Sequence, residues 1–234
     1  MTSPTIIVIR PEPGATASAT LFQDNGFDVL ACPLFVVEPC DWSRDGLAEY
    51  DAVLIGSANA IRHGRLDRAL LGDMPVYAVG RTSARIAREA GLAVAAQGQG
   101  GIEQLLPKLV RDGRHRILRL SGEDHVHIAA PPGTAIDTRI VYRSRPVAMP
   151  DALVEALTHP AIVLLHSAGA ARHFADQCTT RNIDRAVVHI AAFAKAVAQA
   201  AGTGWAGVES AETPDDKALL ALVVRLCQTM TKGL

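Results

Sequence analysis

The sequence repeats itself at about half-chain distance, and this constrains the fold more than any other feature. AVLIGSANAIRH at 52–63 lines up with IVLLHSAGAARH at 162–173. Val53, Leu54, Ser57, Ala58, Ala60, Arg62 and His63 match Val163, Leu164, Ser167, Ala168, Ala170, Arg172 and His173. The echo continues, with VYAVGRTSARIAREAG at 76–91 against VVHIAAFAKAVAQAAG at 187–202. Two copies of one unit imply two similar lobes, with whatever the protein binds held between them.

A chain of 234 residues has room for two small domains. Its residues are 49% hydrophobic and 20% charged, so a packed interior is expected and disorder is not. Aromatics make up only 4%, and the apolar content is mostly Ala, Val, Leu and Ile, as in buried parallel strands flanked by helices. A net charge of -1 gives no bulk attraction to nucleic acid or an anionic membrane surface. An anionic ligand must then be held by local charges and backbone donors. No apolar run reaches bilayer length, and MTSPTIIVIRP lacks the basic region and cleavage pattern of a signal peptide. Cys32, Cys40, Cys178 and Cys227 form no C-x-x-C pair and no zinc spacing. Ordinary reduced thiols in a cytoplasmic protein are expected.

The apolar run Thr5–Arg10 reads as a strand closed by Pro11 and Gly14, with a helix over Ala15–Asn25 stopped by Gly26. Val29–Val37 is extended, and Pro33 confines it to an edge or a connector. Ala52–Ile55 and Val76–Val79 are strands. Ser57 caps the helix after the first; Gly80 turns the chain, and Thr82 or Ser83 caps the helix after the second. Gly98–Gly101 is a loop, Ile102–Val110 an amphipathic helix and Arg116–Leu120 a strand ended by Ser121–Gly122. Ile136–Val147 is extended, Ile162–Leu165 and Val187–Ile190 are strands followed by helices, and a last helix covers Asp215–Met230 after Thr213-Pro214. Strands alternating with helices define an α/β fold with parallel sheets. The extended connectors near 29–39 and 136–147 are candidates to pair as a two-stranded hinge, which would make the first lobe discontinuous.

Ligands of open parallel sheets bind outside the carboxyl ends of the strands. That rule selects Arg10, Gly56–Asn59, Gly80–Ser83, Ser121–Glu123, His166–Gly169 and Ala191–Phe193. Several are small residues at helix starts, where unsatisfied N–H groups and the helix dipole favour carboxylates or phosphates. Ser57, Ser83 and Ser167 could bind anions there or simply cap helices. His166 is a candidate for a direct role, whereas His63 and His173 read as surface or packing residues. Tyr142, flanked by Arg143 and Arg145, could place a phenol and cations at the ligand or lie on a solvated edge strand. The G-x-S-x-G, P-loop and H-E-x-x-H patterns do not occur.

In this order, TIIVIRP, VLIGSANAIR, VYAVGRTSARIAREAGL, ILRLSGED, IVYRSRP and VLLHSAGAARHF resemble the uroporphyrinogen-III synthase family. The resemblance covers nearly the whole chain. It implies two flavodoxin-like (Rossmann-like) parallel-sheet lobes, 1–36 plus 146–234 and 37–145, joined by a two-stranded β-ladder, with the active site in the cleft. It also implies a cofactor-independent cyclising lyase: linear hydroxymethylbilane closes to uroporphyrinogen III with ring D inverted and water lost. No metal or nucleic acid takes part, and a cytoplasmic monomer is expected. The resemblance places Tyr142 at the family's linker tyrosine, to assist loss of the hydroxyl as a proton donor or through an ordered water. The expected substrate-binding positions are Arg10, Ser57, Ala58, Asn59, Gly80, Thr82, Ser83, Ser121, Gly122, His166, Ser167, Ala168 and Gly169. Arg81, Arg143 and Arg145 add positive charge for the substrate's carboxylates. Two departures stand out: Ala192-Phe193-Ala194 where the family often has Ser or Thr, and Ser121 where an Arg is common. They leave open a relative that holds a tetrapyrrole or another polyanion without turnover. A two-lobed nucleotide-sugar transferase is a third reading, without a nucleotide-binding motif to support it.

Overall fold

The computed structural model describes residues 4–98 and 101–232. In chain order it begins with β1 (Thr5–Val8), α1 (Gly14–Asp24), β2 (Val29–Ala31), β3 (Phe35–Pro39) and β4 (Ala52–Ile55). Next come α2 (Ala58–Gly64), α3 (Arg68–Leu71), β5 (Val76–Ala78), α4 (Arg81–Glu89), β6 (Val94–Gln97) and α5 (Leu106–Arg111). Then follow β7 (Arg116–Gly122), β8 (Ala135–Pro146), α6 (Asp151–Ala156), β9 (Ala161–Leu165) and α7 (Ala168–Thr180). The chain closes with β10 (Val188–Ala192), α8 (Lys195–Ala200), β11 (Gly207–Ser210) and α9 (Asp216–Lys232). It divides into two compact units, one comprising the residues up to Val36 and from Arg145 on, the other Val37–Ser144.

The first unit carries a five-stranded sheet in the order β11-β10-β9-β1-β2, every pairing parallel. β9 is buried along its whole length, and β1 over Ile6–Val8, because helices cover both faces. Alternate residues pack on opposite faces, as strand geometry requires. Ile7, Val163 and Leu165 join Phe174 and Cys178 on one side; Ile6, Val8, Ile162 and Leu164 join Phe22, Leu219 and Leu222 on the other. The ring of Phe174 stacks on Trp205, with centroids 5.5 Å apart.

The second unit's sheet runs β3-β8-β7-β4-β5-β6, and its β4, β5, β6, β7 and β8 pair in parallel. Val53, Ile55, Leu118 and Leu120 face one side and Ala52, Leu54, Tyr77 and Ile117 the other. The β4-β5-β6 run of this sheet matches β9-β10-β11 of the other.

That match corrects the sequence alignment of the repeat. Val53 lies opposite Val76, while its counterpart Val163 lies opposite Ile190, not Val187. Val76 is thus equivalent to Ile190, and the helix caps Gly80 and Ala194 are equivalent. The apparent match at 76–91 and 187–202 holds only at the helix ends, because α4 has 9 residues and α8 only 6.

Other expectations change with the local geometry. Val29–Val37 is not one connector: β2 is an edge strand parallel to β1, and β3 starts beyond Pro33. Neither Thr82 nor Ser83 is a cap, since Gly80 occupies that position and both lie in the first turn of α4. The last helix is capped by Asp215, whose Oδ1 accepts from the Ala218 N–H at 2.9 Å, rather than by Thr213-Pro214. Ile102–Val110 is a 3-10 turn followed by α5. β6 and β11 are edge strands that the sequence pattern did not reveal. Of the expected loop at Gly98–Gly101, Gln99 and Gly100 lie outside the described residues.

Phe174→Ala removes the ring buried against Trp205 and should lower unfolding stability by about 3–5 kcal/mol. A urea titration checks this, and an unchanged midpoint would show that the stack adds nothing.

Candidate functional site

Each sheet has a place where the strand order reverses, and ligands of such sheets bind outside the carboxyl ends of the strands there. In the first unit that place lies between β1 and β9, so the residues following these strands, from Ile9–Arg10 and His166–Ser167, share one edge. In the second it lies between β7 and β4, followed by Glu123 and by Gly56–Ser57.

At the first unit's edge, Arg10, Ser18 and His166 converge on one carboxylate. Arg10 Nη1 reaches Asp216 Oδ2 at 3.3 Å, Ser18 Oγ donates to Oδ1 at 3.0 Å, and His166 Nε2 lies 3.0 Å from Oδ1. The opposite edge of the guanidinium rests on Gly14. A Cβ there would stand 2.4 Å from Arg10 Nε and 2.9 Å from Nη2, so a side chain at 14 would displace the arginine. Arg10 is therefore held between Asp216 and the start of α1, with 29% of its side chain exposed. The His166 imidazole is only 7% exposed and packs 5.0 Å from the Phe193 ring. Burial lowers its pKa, so the neutral ring donates through Nε2–H. Burial alone would raise the Asp216 pKa, but the His166 hydrogen bond and the charge of Arg10 hold it below the usual carboxylate range. Asp216 was not singled out from the sequence: it lies 206 residues from Arg10, and only the fold brings the two together.

Ser167 caps α7 by accepting from the Ala170 N–H at 3.1 Å, and Ala168 and Gly169 form that helix's first turn. Ser57 caps α2, accepting from the Asn59 N–H at 3.2 Å; Ala58 is buried, and Asn59 Oδ1 accepts from Arg62. Gly80 and Thr82 stand at the start of α4, with Thr82 exposed and Ser83 turned into the interior at 5% exposure. Ser121 and Gly122 end β7.

Tyr142 lies across that strand end. Gly122 pairs with Tyr142 at a register shift, and a Cβ on Gly122 would stand 2.6–2.9 Å from Tyr142 Cζ, Cε2 and OH. Only glycine lets the phenol lie there. The His63 ring is 6.3 Å from Tyr142, and burial lowers the His63 pKa. Of the neighbouring cations, Arg143 is paired with Glu38 at 3.3 Å.

Together these features define an α/β protein with parallel sheets, whose chemistry-bearing groups gather at carboxyl-terminal strand ends. The family described as Uroporphyrinogen-III synthase HemD matches residues 16–221. The chain belongs to that family, and uroporphyrinogen-III synthase is the function the match supports. Comparison with curated proteins gives no match. Among solved structures, the uroporphyrinogen-III synthetase of Helicobacter pylori is similar, with 16% identity, TM-score 0.64, and 95% of this chain and 99% of that one covered. A mutant uroporphyrinogen III synthase of Thermus thermophilus has 21% identity and TM-score 0.55, over 97% of this chain and 100% of that one. At such identities these structures speak for the fold. Among the described residues, no helix is long and apolar enough to cross a membrane.

His166 and Asp216 both bind protons less readily folded than unfolded, so both add stability at high pH that is lost as pH falls. For His166 the loss sets in as pH drops through the ordinary histidine value of about 6.5. The urea midpoint should fall between pH 7 and 5, with His63 and His189, whose pKa values are also lowered by burial, contributing to the fall. His166→Gln, which can still donate to Asp216, should flatten the fall; an unaltered slope would show that His166 does not titrate this way.

Proposed function

We propose that the protein closes hydroxymethylbilane to uroporphyrinogen III with inversion of ring D, as a lyase that needs no cofactor. We read it as a cytoplasmic monomer of two flavodoxin-like lobes joined by a β-ladder. The family match through residues 16–221 carries this reading. The 2-1-3-4-5 strand order of the first unit supports the lobe assignment, as do β3 and β8, neighbours whose ranges both cross the boundary between units.

The substrate is an activated pyrrole chain that cyclises unaided to the uninverted isomer, so the protein's main task is orientation. The hydroxymethyl group takes a proton and leaves as water, giving an azafulvenium cation. Ring D attacks through its substituted carbon, and the spiro intermediate fragments and recloses with the ring turned over, after which a proton is lost. Tyr142 is our assignment for the proton that assists departure, directly or through water. Its position over Gly122, at the strand end, supports this. The helix starts after Ser57 and Gly80, both in the second unit, offer N–H donors for carboxylates of the substrate.

The alternative, a polyanion-binding relative without turnover, rests on Ala192-Phe193-Ala194, where the family often has Ser or Thr, and on Ser121, where an Arg is common. In the observed register Arg81-Thr82-Ser83 corresponds to Lys195-Ala196-Val197, so the second copy also lacks the hydroxyls that the first carries at this helix start.

Purified protein supplied with hydroxymethylbilane should yield mainly the type III isomer, and a product mixture matching the spontaneous type I control would sink the proposal. Tyr142→Phe should lower kcat about 100-fold, within the usual range for a lost acid catalyst, with the fold intact. Gly122→Ala should slow turnover in the same direction by pushing the phenol aside. Full activity in both variants would remove Tyr142 from the mechanism.

A further inference from the structure

Arg119 occupies the middle of β7 with only 5% of its surface exposed. In register it lies between Leu54 of β4 and Thr138 of β8, beside the point where the second unit's strand order reverses. It shares a face of the sheet with Ile117 and Ser121. Its Nη1 donates to the Val126 carbonyl at 2.8 Å, and Val126 belongs to the segment that follows β7, so the guanidinium points toward the carboxyl end of the strand. Among the described residues, no carboxylate pairs with it. Burial is the one influence acting on its pKa, which it lowers. Arginine nevertheless keeps its proton in proteins. A buried charge is normally paired, because an uncompensated one is costly. Its one hydrogen-bond partner among the described residues is the neutral Val126 carbonyl, and the guanidinium nitrogens without a partner keep some contact with solvent, through which a ligand can reach them.

The contrast with Arg10 is instructive. Arg10 has its own acid and a glycine shelf, whereas Arg119, which by register stands at the level of Val8 and two residues short of the position matching Arg10, meets no carboxylate among the described residues. The geometry points to Arg119 as an anion-binding residue that takes a carboxylate of the ligand at the end of β7. A carboxylate matches the planar fork of a guanidinium and supplies the missing charge. Residues 123–134 over it contain no helix or strand, and Val126 is 75% exposed, so the Val126 carbonyl can yield to a ligand without disturbing the sheet. This deepens the proposed function, resting on the protein as a binder of a polycarboxylate.

Uroporphyrin I, a stable polycarboxylate followed by its own fluorescence, is the probe. Titrations compare wild type with Arg119→Lys, Arg119→Gln and Arg119→Met. Glutamine keeps a donor for the Val126 carbonyl but no charge; lysine keeps the charge. The methionine and glutamine variants should bind about tenfold more weakly or worse, with lysine between them and wild type. Without ligand, the methionine variant should melt no lower than wild type, because the charge it removes is unpaired. Glutamine binding as well as wild type, or all four proteins binding alike, would overturn the assignment and leave a residue that merely holds the loop. The isomer assay on wild type is separate. A purely type I product would sink the proposed reaction, while charge-dependent uroporphyrin binding would still place the anion at Arg119.

Discussion

The parallel pairing of β1 with β9, from Thr5 opposite Ala161 to Val8 opposite Leu164, is the constraint on which the first unit depends. It joins strands about 150 residues apart and buries both between helices. It also sets the ends of the two strands side by side, so Arg10 and His166 emerge at one edge where α9 can present Asp216. Without this pairing the residues of that edge would have no reason to meet. The second unit is ordered by its counterpart, β4 against β7, which brings Ser57 and the β7 end together.

Electrostatics then separates the two edges. In the first unit a carboxylate of the chain itself accepts from an arginine, a histidine and a serine, so the arginine's charge is compensated there, while His166 Nδ1 stays buried without a partner. In the second, Arg119 is buried with a carbonyl as its bonded partner, and Tyr142 lies over a glycine that leaves its ring room. Two sheets of related topology therefore present different chemistry.

Much of the fold was legible because central strands of a parallel sheet must be apolar on both faces. Ala52–Ile55 and Ile162–Leu165 show this as unbroken runs, and Ser57 and Ser167 mark the helix starts beyond them. The short edge strands β6 and β11, partly exposed and weakly apolar, carry no such signal. The repeat was legible but its register was not: α8 is three residues shorter than α4, and the similar helix ends drew the alignment away from the strand pairing. Thr82 and Ser83 looked like caps because hydroxyl residues favour helix starts, yet glycine at 80 already supplied the extended conformation that a cap requires.

By itself the sequence determined the α/β class and the doubling of the architecture, and it marked the strand ends, Tyr142 and the capping serines as candidates. Periodicity and local backbone preference act over a few residues and can be read along a chain. The tertiary structure decided which halves share a sheet. The piece up to Val36 joins the strands of the second repeat copy, while β7 and β8 join those of the first. It also decided which charges are met: Arg10, the evident cation in the sequence, pairs with Asp216 from the far end of the chain, and Arg119, which looks like an ordinary strand residue, meets no carboxylate among the described residues. Charge compensation depends on distances through space, and these exist only once the strands have paired.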